Sequence, residues 1–159
     1  DHGYHLGEHD FWAKVSLRDE SAGVPLIISV PGKKPAVCDS LVELLDLYPT
    51  VSKLCGLHVQ ERLQGKDISA MLDDPDIEVR DAAFSVAPMR KGFLLREDRW
   101  AYIQYGEDAS RGMELFDTVA DPLQFDNLAE VSEYQNVVDR MQAKLAAKLA
   151  EVRENDLLE

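Results

Sequence analysis

The sequence predicts an α/β chain in two parts. The first is one strand–helix unit of an α/β sheet. The second is a small α+β subdomain, a four-stranded antiparallel sheet with a packed C-terminal helix. Three observations predict this. VPLIISVPG (residues 24–32) is a nearly continuous apolar run rich in β-branched residues and bounded by Pro and Gly, as a strand buried on both faces reads. DSLVELLDLYPTVSKLCGL (39–57) carries Leu41, Leu44, Leu45, Tyr48 and Leu54 at helical spacing. Between 82 and 118, short apolar runs alternate with turn signals, and a helical stripe follows them.

In chain order, residues 1–23 read as loop with short helical pieces, broken by Gly3, Gly7 and Gly23. The strand at 24–32 follows, then a turn at Lys33-Lys34-Pro35. The helix over 39–57 takes Asp39 or Ser40 as its cap, with Glu43 completing a capping box from Ser40. Pro49 is expected to kink this helix and Gly56 to end it. A single strand–helix unit cannot bury both its faces, so this part expects neighbours. The segment 58–79 is polar and loop-rich, with a short helix around Ile68 to Leu72 stopped by Asp73-Asp74-Pro75. A domain boundary near residue 58 separates 1–58 from 59–159.

The strand runs 82–87, 92–97, 99–105 and 112–118 form an antiparallel meander, the first followed by Pro88. Phe93, Leu95, Trp100, Tyr102 and Leu115 are expected on one face. Ser132 with Gln135 reads as a second capping box. Tyr134, Val138, Met141, Leu145, Leu149 and Val152 make one apolar stripe that should pack across the sheet. The final ENDLLE is expected to fray.

With 17 Lys and Arg against 30 Asp and Glu the formal charge is −13, which excludes nucleic acid or an anionic membrane as a partner held by bulk attraction. No apolar run approaches the roughly 20 residues of a membrane span. An anionic substrate would need local cations, and the candidates are Lys14, Arg18, Lys33 and Lys34. Cys38 and Cys55 are too few for a disulfide framework. Both read as small buried apolar residues rather than nucleophiles.

The chemistry-bearing segment is DHGYHLGEHDFWAK, residues 1–14. Asp1 and His2 before Gly3 place a carboxylate and an imidazole where both can face one metal. Asp suits Ca²⁺ or Mg²⁺, His suits Zn²⁺, so the pair leaves the metal open. His2 equally suits a substrate oxyanion. Lys14, after the aromatic pair Phe11-Trp12, is a point charge for a sulfate or phosphate oxygen, or a solvated surface lysine. His5, Glu8 and His9 are ligands, acid–base groups or loop-shaping hydrogen bonders. There is no Gly-rich phosphate loop and no serine nucleophile elbow, so these residues make half a site. A beginning this rich in ligands reads as the tail of a larger enzyme, cut within its active site.

Together these residues carry a resemblance that they lack singly. Asp1-His2-Gly3-Tyr4-His5-Leu6-Gly7-Glu8-His9 followed by Trp12-Ala13-Lys14 resembles the sulfatases, and most closely the iduronate-2-sulfatase-like branch. VPLIISVPG, VELLDLYPTVSKLCGL, LQGKDISAML and RWAYIQYG…MELFDTVADPLQFDNLA resemble further family segments in the same order, over nearly the whole chain.

The resemblance implies the C-terminal part of an α/β sulfatase of the alkaline-phosphatase superfamily. Residues 1–58 would close its catalytic domain, and 59–159 would form its small subdomain. It implies a sulfuric ester hydrolase acting on sulfated carbohydrate through a formylglycine nucleophile and a divalent metal, usually Ca²⁺. Asp1 and His2 fall on metal-site positions, Lys14 on the sulfate contact, and His5 and His9 near the substrate mouth. Such enzymes are secreted, periplasmic or lysosomal. The nucleophile motif C-x-P-S-R does not occur in this sequence. It and the rest of the metal shell would come from an upstream part of the same protein, and this chain alone is expected to be inactive. Two alternatives share these residues: a phosphodiesterase or phosphonate monoester hydrolase of the same superfamily, and a non-catalytic interaction module built from 58–159.

Overall fold

The computed structural model describes residues 2–87 and 92–154. The chain divides into two compact units, 1–26 with 84–148, and 27–83 with 149–159.

The first unit is built on a four-stranded antiparallel meander in the order β1-β2-β3-β4. The strands are β1 (Ala83–Val86), β2 (Phe93–Arg96), β3 (Trp100–Gln104) and β4 (Met113–Asp117). All four expected runs form strands, each trimmed by a residue or more at its ends. The Pro88 expected after the first run lies outside the described residues.

Register follows the pleat. Leu95, Tyr102 and Leu115 stand in one cross-strand row, and Phe93, Gln104 and Met113 in the next. Phe93, Leu95, Trp100, Tyr102 and Leu115 therefore share a face, as expected. A short α1 (Asp19–Ala22) here and α2 (Leu47–Leu54) in the second unit precede the long α3 (Gln135–Glu151). Tyr134, just before α3, meets the Trp100 ring edge-on with centroids 5.9 Å apart. Arg140 and Lys144 of α3 both reach Glu97, at 2.8 and 2.7 Å. These contacts set α3 over the Trp100 face, and its Val138, Met141 and Leu145 are buried. The capping box at Ser132 and Gln135 does not form. A 3₁₀ turn spans Ser132–Tyr134 with no side-chain cap, and Gln135 Nε2 instead donates to Asp139 Oδ1 at 2.8 Å.

The opposite face of the sheet is also covered, which the sequence reading did not anticipate. Leu94, Ala101, Ile103 and Phe116 pack with Leu17, and Ala22 and Tyr105 flank them. Thus the segment after the first 14 residues supplies part of the sheet's own core. Gln104 is the polar member of the α3 side. Its Oε1 accepts from the Tyr102 hydroxyl at 3.0 Å, and its Nε2 donates to the carbonyls of Gly106 and Glu107. The last residues expected to fray, from Asn155 on, lie outside the described ones.

The expected strand at 24–32, whose larger part falls in the second unit, does not form; residues 23–30 carry no ladder, and Ile27 is 90% exposed. A strand buried on both faces needs neighbours on both edges, and no described segment supplies them. The helix is shorter than expected. It runs as α2 (Leu47–Leu54) after a 3₁₀ turn at Leu44–Asp46. The capping box belongs to Glu43 and Asp46, with Glu43 N–H donating to Asp46 Oδ2 at 2.7 Å. Ser40 donates instead to the Ile77 carbonyl at 3.0 Å. Pro49 causes no kink because it falls in the first turn of α2, where its missing N–H has no intrahelical acceptor to lose.

Gly56 ends the helix as expected. At φ +68° it donates to the Lys53 carbonyl, and Leu57 N–H donates to the Ser52 carbonyl at 2.8 Å, a Schellman closure. A 3₁₀ turn covers Ser69–Leu72. Leu44, Leu45, Tyr48 and Val51 are exposed, while Asp46, Thr50 and Ser52 are buried. Cys38 and Cys55 are free thiols, and both are exposed rather than buried.

Candidate active site

Residues 3–14 form a clasped loop within the first unit. Gly3 N–H donates to the Ser21 carbonyl at 3.0 Å, His5 N–H to the Ala13 carbonyl at 2.9 Å, and Gly7 N–H to the Phe11 carbonyl at 3.2 Å. The Ser21 hydroxyl donates to the Lys14 carbonyl at 2.9 Å. Ser21, buried on α1, therefore holds both ends of the loop. The loop also requires Gly3: a Cβ there would lie 1.9 Å from the Glu20 carbonyl oxygen. The tip turns through His9 and Asp10, both at positive φ near +55°, and Glu8 stabilises it by accepting Leu6 N–H at 2.6 Å. Hydrogen bonds from the Glu8 and Leu6 backbone N–H groups hold the Glu8 carboxyl below its ordinary pKa.

Of the sequence-predicted site residues, Asp1 lies outside the described residues. His2 is exposed, with Nδ1 2.7 Å from the Gly3 carbonyl oxygen. A backbone carbonyl on Nδ1 is the arrangement that fixes the tautomer of a ligating histidine and leaves Nε2 as the donor atom. Lys14 is exposed. His5 is 1% exposed, and its ring packs edge-on against His9 and Phe11 at 5.8 and 5.3 Å. Neither His5 ring nitrogen has a hydrogen-bond partner among the described residues.

His9 is held on three sides. Its Nδ1 lies 3.2 Å from Arg18 Nη1, its Nε2 3.3 Å from Glu20 Oε1, and its ring 4.7 Å from that of Phe125. An arginine nitrogen only donates, so Nδ1 accepts and Nε2 carries the proton shared with Glu20. Arg18 also donates to the Gln124 carbonyl and to Glu114 Oε2, and its guanidinium lies 4.7 Å from the centre of the Phe116 ring. Arg18, a candidate for an anionic substrate from sequence, is thus committed to the protein itself. Lys33 pairs with Asp73 at 2.5 Å, in the second unit.

Sequence reasoning missed Glu20, Ser21, Gln124 and Phe125. Gln124 Oε1 accepts the Asp19 N–H at 3.1 Å, a contact spanning 105 positions, and no local signal announces it. Its positive φ of +56° in a turn is visible only in the fold. Glu20 Oε2 and Gln124 Nε2, like the His5 nitrogens, are buried without a partner among the described residues. No group of three His, Cys, Asp or Glu among those residues is placed to hold a metal ion.

A glycine-clasped loop with an imidazole at one end and an ammonium at the other rides on the small antiparallel sheet, which one helix crosses. The family model for the C-terminal region of N-sulphoglucosamine sulphohydrolase matches residues 7–151, and the chain belongs to that sulfatase family. It is 31% identical to an ulvan-active sulfatase of Formosa agariphila over 96% of this chain and 32% of that protein. A solved 2-O glycosaminoglycan sulfatase superposes with a TM-score of 0.82 at 26% identity, covering 96% of this chain and 35% of that one. A phosphonate monoester hydrolase from Silicibacter pomeroyi shares the fold, with a TM-score of 0.80 at 23% identity over 98% of this chain and 34% of that one. The chain spans about a third of the length of the relatives it matches.

Proposed function

We propose that the chain is the C-terminal portion of a sulfatase that hydrolyses sulfate esters of glycans, of the iduronate-2-sulfatase-like kind. The observation that carries this reading is the clasp at Ser21, which holds Gly3 and Lys14 on one residue although they lie eleven positions apart in sequence. It ties Gly3, the neighbour of the proposed ligand His2, and the main chain of Lys14, the proposed sulfate contact, to one serine.

The residues present fit a divalent cation in part. His2 has its Nδ1 against the Gly3 carbonyl, which would leave Nε2 to face a cation, and Asp1 would add an oxygen donor; the other ligands would come from outside this chain. When bound, Ca²⁺ would polarise the sulfate, and a formylglycine outside this chain would supply the nucleophile. Lys14 would hold a sulfate oxygen as a point charge against the charge that develops there. His5 and His9 border the substrate mouth on this reading. With both His9 nitrogens engaged, His9 would shape that mouth more than bind in it. The four buried polar atoms without partners fit a site completed by other groups.

Residues 1–58 would belong to the catalytic domain and 59–159 to the small subdomain. The location would be extracytoplasmic or lysosomal, and the chain alone would not turn over. No helix among the described residues is long and apolar enough to cross a membrane.

The test is sulfate release from sulfated glycosaminoglycan oligosaccharides by the protein that contains this chain, with a phosphonate monoester assayed beside them. Sulfate release abolished by Lys14→Ala supports the reading. Faster turnover of the phosphonate would replace it with the phosphonate hydrolase alternative. No turnover of either would leave the interaction module.

A further inference from the structure

We propose that Ser21 is a positioning residue of the active site, fixing Lys14 relative to the Gly3 end of the loop. This rests on the sulfatase reading above. The argument begins with the loop's topology. Residues 3–14 leave and re-enter the body of the first unit at adjacent points, as in a compact Ω-type loop whose ends are close. Such a loop is only as rigid as its neck.

The neck is closed by Ser21, with the bond from His5 N–H to the Ala13 carbonyl just inside it. The Ser21 carbonyl accepts from Gly3 N–H and the Ser21 hydroxyl donates to the Lys14 carbonyl, so main chain and side chain of one buried serine serve the two ends. The base under that serine is fixed in turn. Ser21 N–H donates to the Arg18 carbonyl at 2.9 Å, Arg18 reaches Gln124 and Glu114, and Asp19 N–H donates to Gln124 Oε1. Ser21 thereby transmits the position of the sheet to both ends of the loop.

Lys14 is exposed, and its side chain has no hydrogen-bonded anchor among the described residues. Its ammonium is a charge on a flexible stem, so where the main chain starts decides where the charge can reach. Loss of the Ser21 hydroxyl removes the side-chain tether at Lys14 and leaves the Gly3 end and the His5–Ala13 bond in place, so the Lys14 end loosens without coming free. Misplacement of a catalytic charge by about 1 Å costs on the order of a hundredfold in rate, and partial loosening costs less.

The experiment uses the full-length protein that contains this chain, as purified with its metal. Turnover of an aryl sulfate and inhibition by inorganic sulfate are measured for wild type, Ser21→Ala, Lys14→Ala and the double variant. The expected result for Ser21→Ala is a fall in kcat/KM of about tenfold, weaker inhibition by sulfate, and a melting temperature within about 3 °C of wild type. The double variant should be no worse than Lys14→Ala, because a residue that acts through Lys14 has nothing left to act on.

Losses that multiply in the double variant, or a Ser21→Ala enzyme with unchanged turnover and sulfate inhibition, overturn the proposal while the sulfatase reading stands. If Lys14→Ala itself changes neither quantity, the sulfate-contact reading fails and the role of Ser21 fails with it. Should Ser21→Ala not fold, Ser21→Cys keeps the volume with a much weaker donor and is held to the same cycle.

Discussion

Arg80 grips Asp46 with both terminal guanidinium nitrogens, Nη2 donating to Oδ1 at 2.7 Å and Nη1 to Oδ2. The Arg80 side chain is 6% exposed and that of Asp46 is fully buried. Glu43 adds a second carboxylate 3.6 Å from Nη2. Asp46 also accepts the N–H groups of Glu43 and Lys66, at 2.7 Å each, so its lone pairs are well used. This one aspartate ties the start of α2 to the loop at Lys66 and to Arg80. Removing the arginine strands a buried charge, which typically costs about 3–5 kcal/mol. Arg80→Met should therefore lower the melting temperature by roughly 10 °C, and Arg80→Lys should recover little of it, because lysine cannot donate in a two-pronged fork. A melting temperature for Arg80→Met within 2 °C or so of wild type would show the pair to be dispensable.

The same pair sets an acid limit. Burial is the largest influence on Asp46 and opposes its ionisation, but the hydrogen bonds from Arg80, Lys66 and Glu43 and the Arg80 charge together outweigh it. Its carboxyl is held below the ordinary value of 3.8. A depressed folded-state pKa means the unfolded state takes up the proton first. The contribution of Asp46 is therefore complete above the ordinary carboxylate range and lost as pH falls through the depressed value. Glu97, facing Arg140 and Lys144, is shifted in the same direction against its own burial. Melting temperatures taken from pH 6 down to pH 3 should fall most steeply below about pH 4. Asp46→Asn should start lower and fall less. An equally steep fall in that variant would place the acid sensitivity elsewhere.

The sheet was legible in the sequence because its determinants are local. Each strand carries its own alternation and turn, so Leu95, Tyr102 and Leu115 could be placed on one face before any fold was known. Helix α3 was legible for the same reason. The strand at 24–32 was misread because a buried strand is defined by its neighbours, and apolar content alone cannot supply them. The capping boxes failed because Ser40 and Ser132 fit the pattern in spacing, while Ile77 and a plain 3₁₀ turn decide what those ends do. In the candidate site, the motif residues stood out by type. Their support did not: Ser21, Glu20 and Gln124 carry no unusual spacing, and Gln124 meets Asp19 only through tertiary packing.

Tyr102 sets an alkaline limit. Burial alone pushes its phenol up to about 12, and its hydroxyl donates to Gln104 Oε1. A raised folded-state pKa means that the unfolded chain ionises first. The stabilisation is whole below pH 10 and is lost as pH rises toward 12, on the order of 2–3 kcal/mol across that interval. Tyrosinate absorbance should therefore show Tyr102 titrating together with unfolding rather than ahead of it. In Tyr102→Phe the Gln104 oxygen loses its donor in a buried place, at a cost of about 1–3 kcal/mol, and the alkaline fall should shrink. A Tyr102→Phe protein as alkali-sensitive as wild type would assign that limit to another group.

Two glycines separate steric need from conformational need. At Gly56 an added Cβ meets nothing within 4 Å, but φ is +68°. Gly56→Ala should cost only the left-handed penalty, about 1 kcal/mol, and leave turnover of the full-length protein unchanged. At Gly3 an added Cβ would sit 1.9 Å from the Glu20 carbonyl oxygen and 2.9 Å from its carbon. Those are backbone atoms, and no rotamer change relieves the overlap. The hydrogen bond from Gly3 to Ser21 must lengthen or break, and His2 moves with it. Gly3→Ala should then reduce turnover in the full-length protein by about a hundredfold. Because only the loop's neck is displaced, and the sheet core of Tyr102, Leu115 and Met141 is untouched, its melting temperature should change far less than its activity. A Gly3→Ala protein that keeps wild-type turnover would mean that the neck of the loop does not set the site.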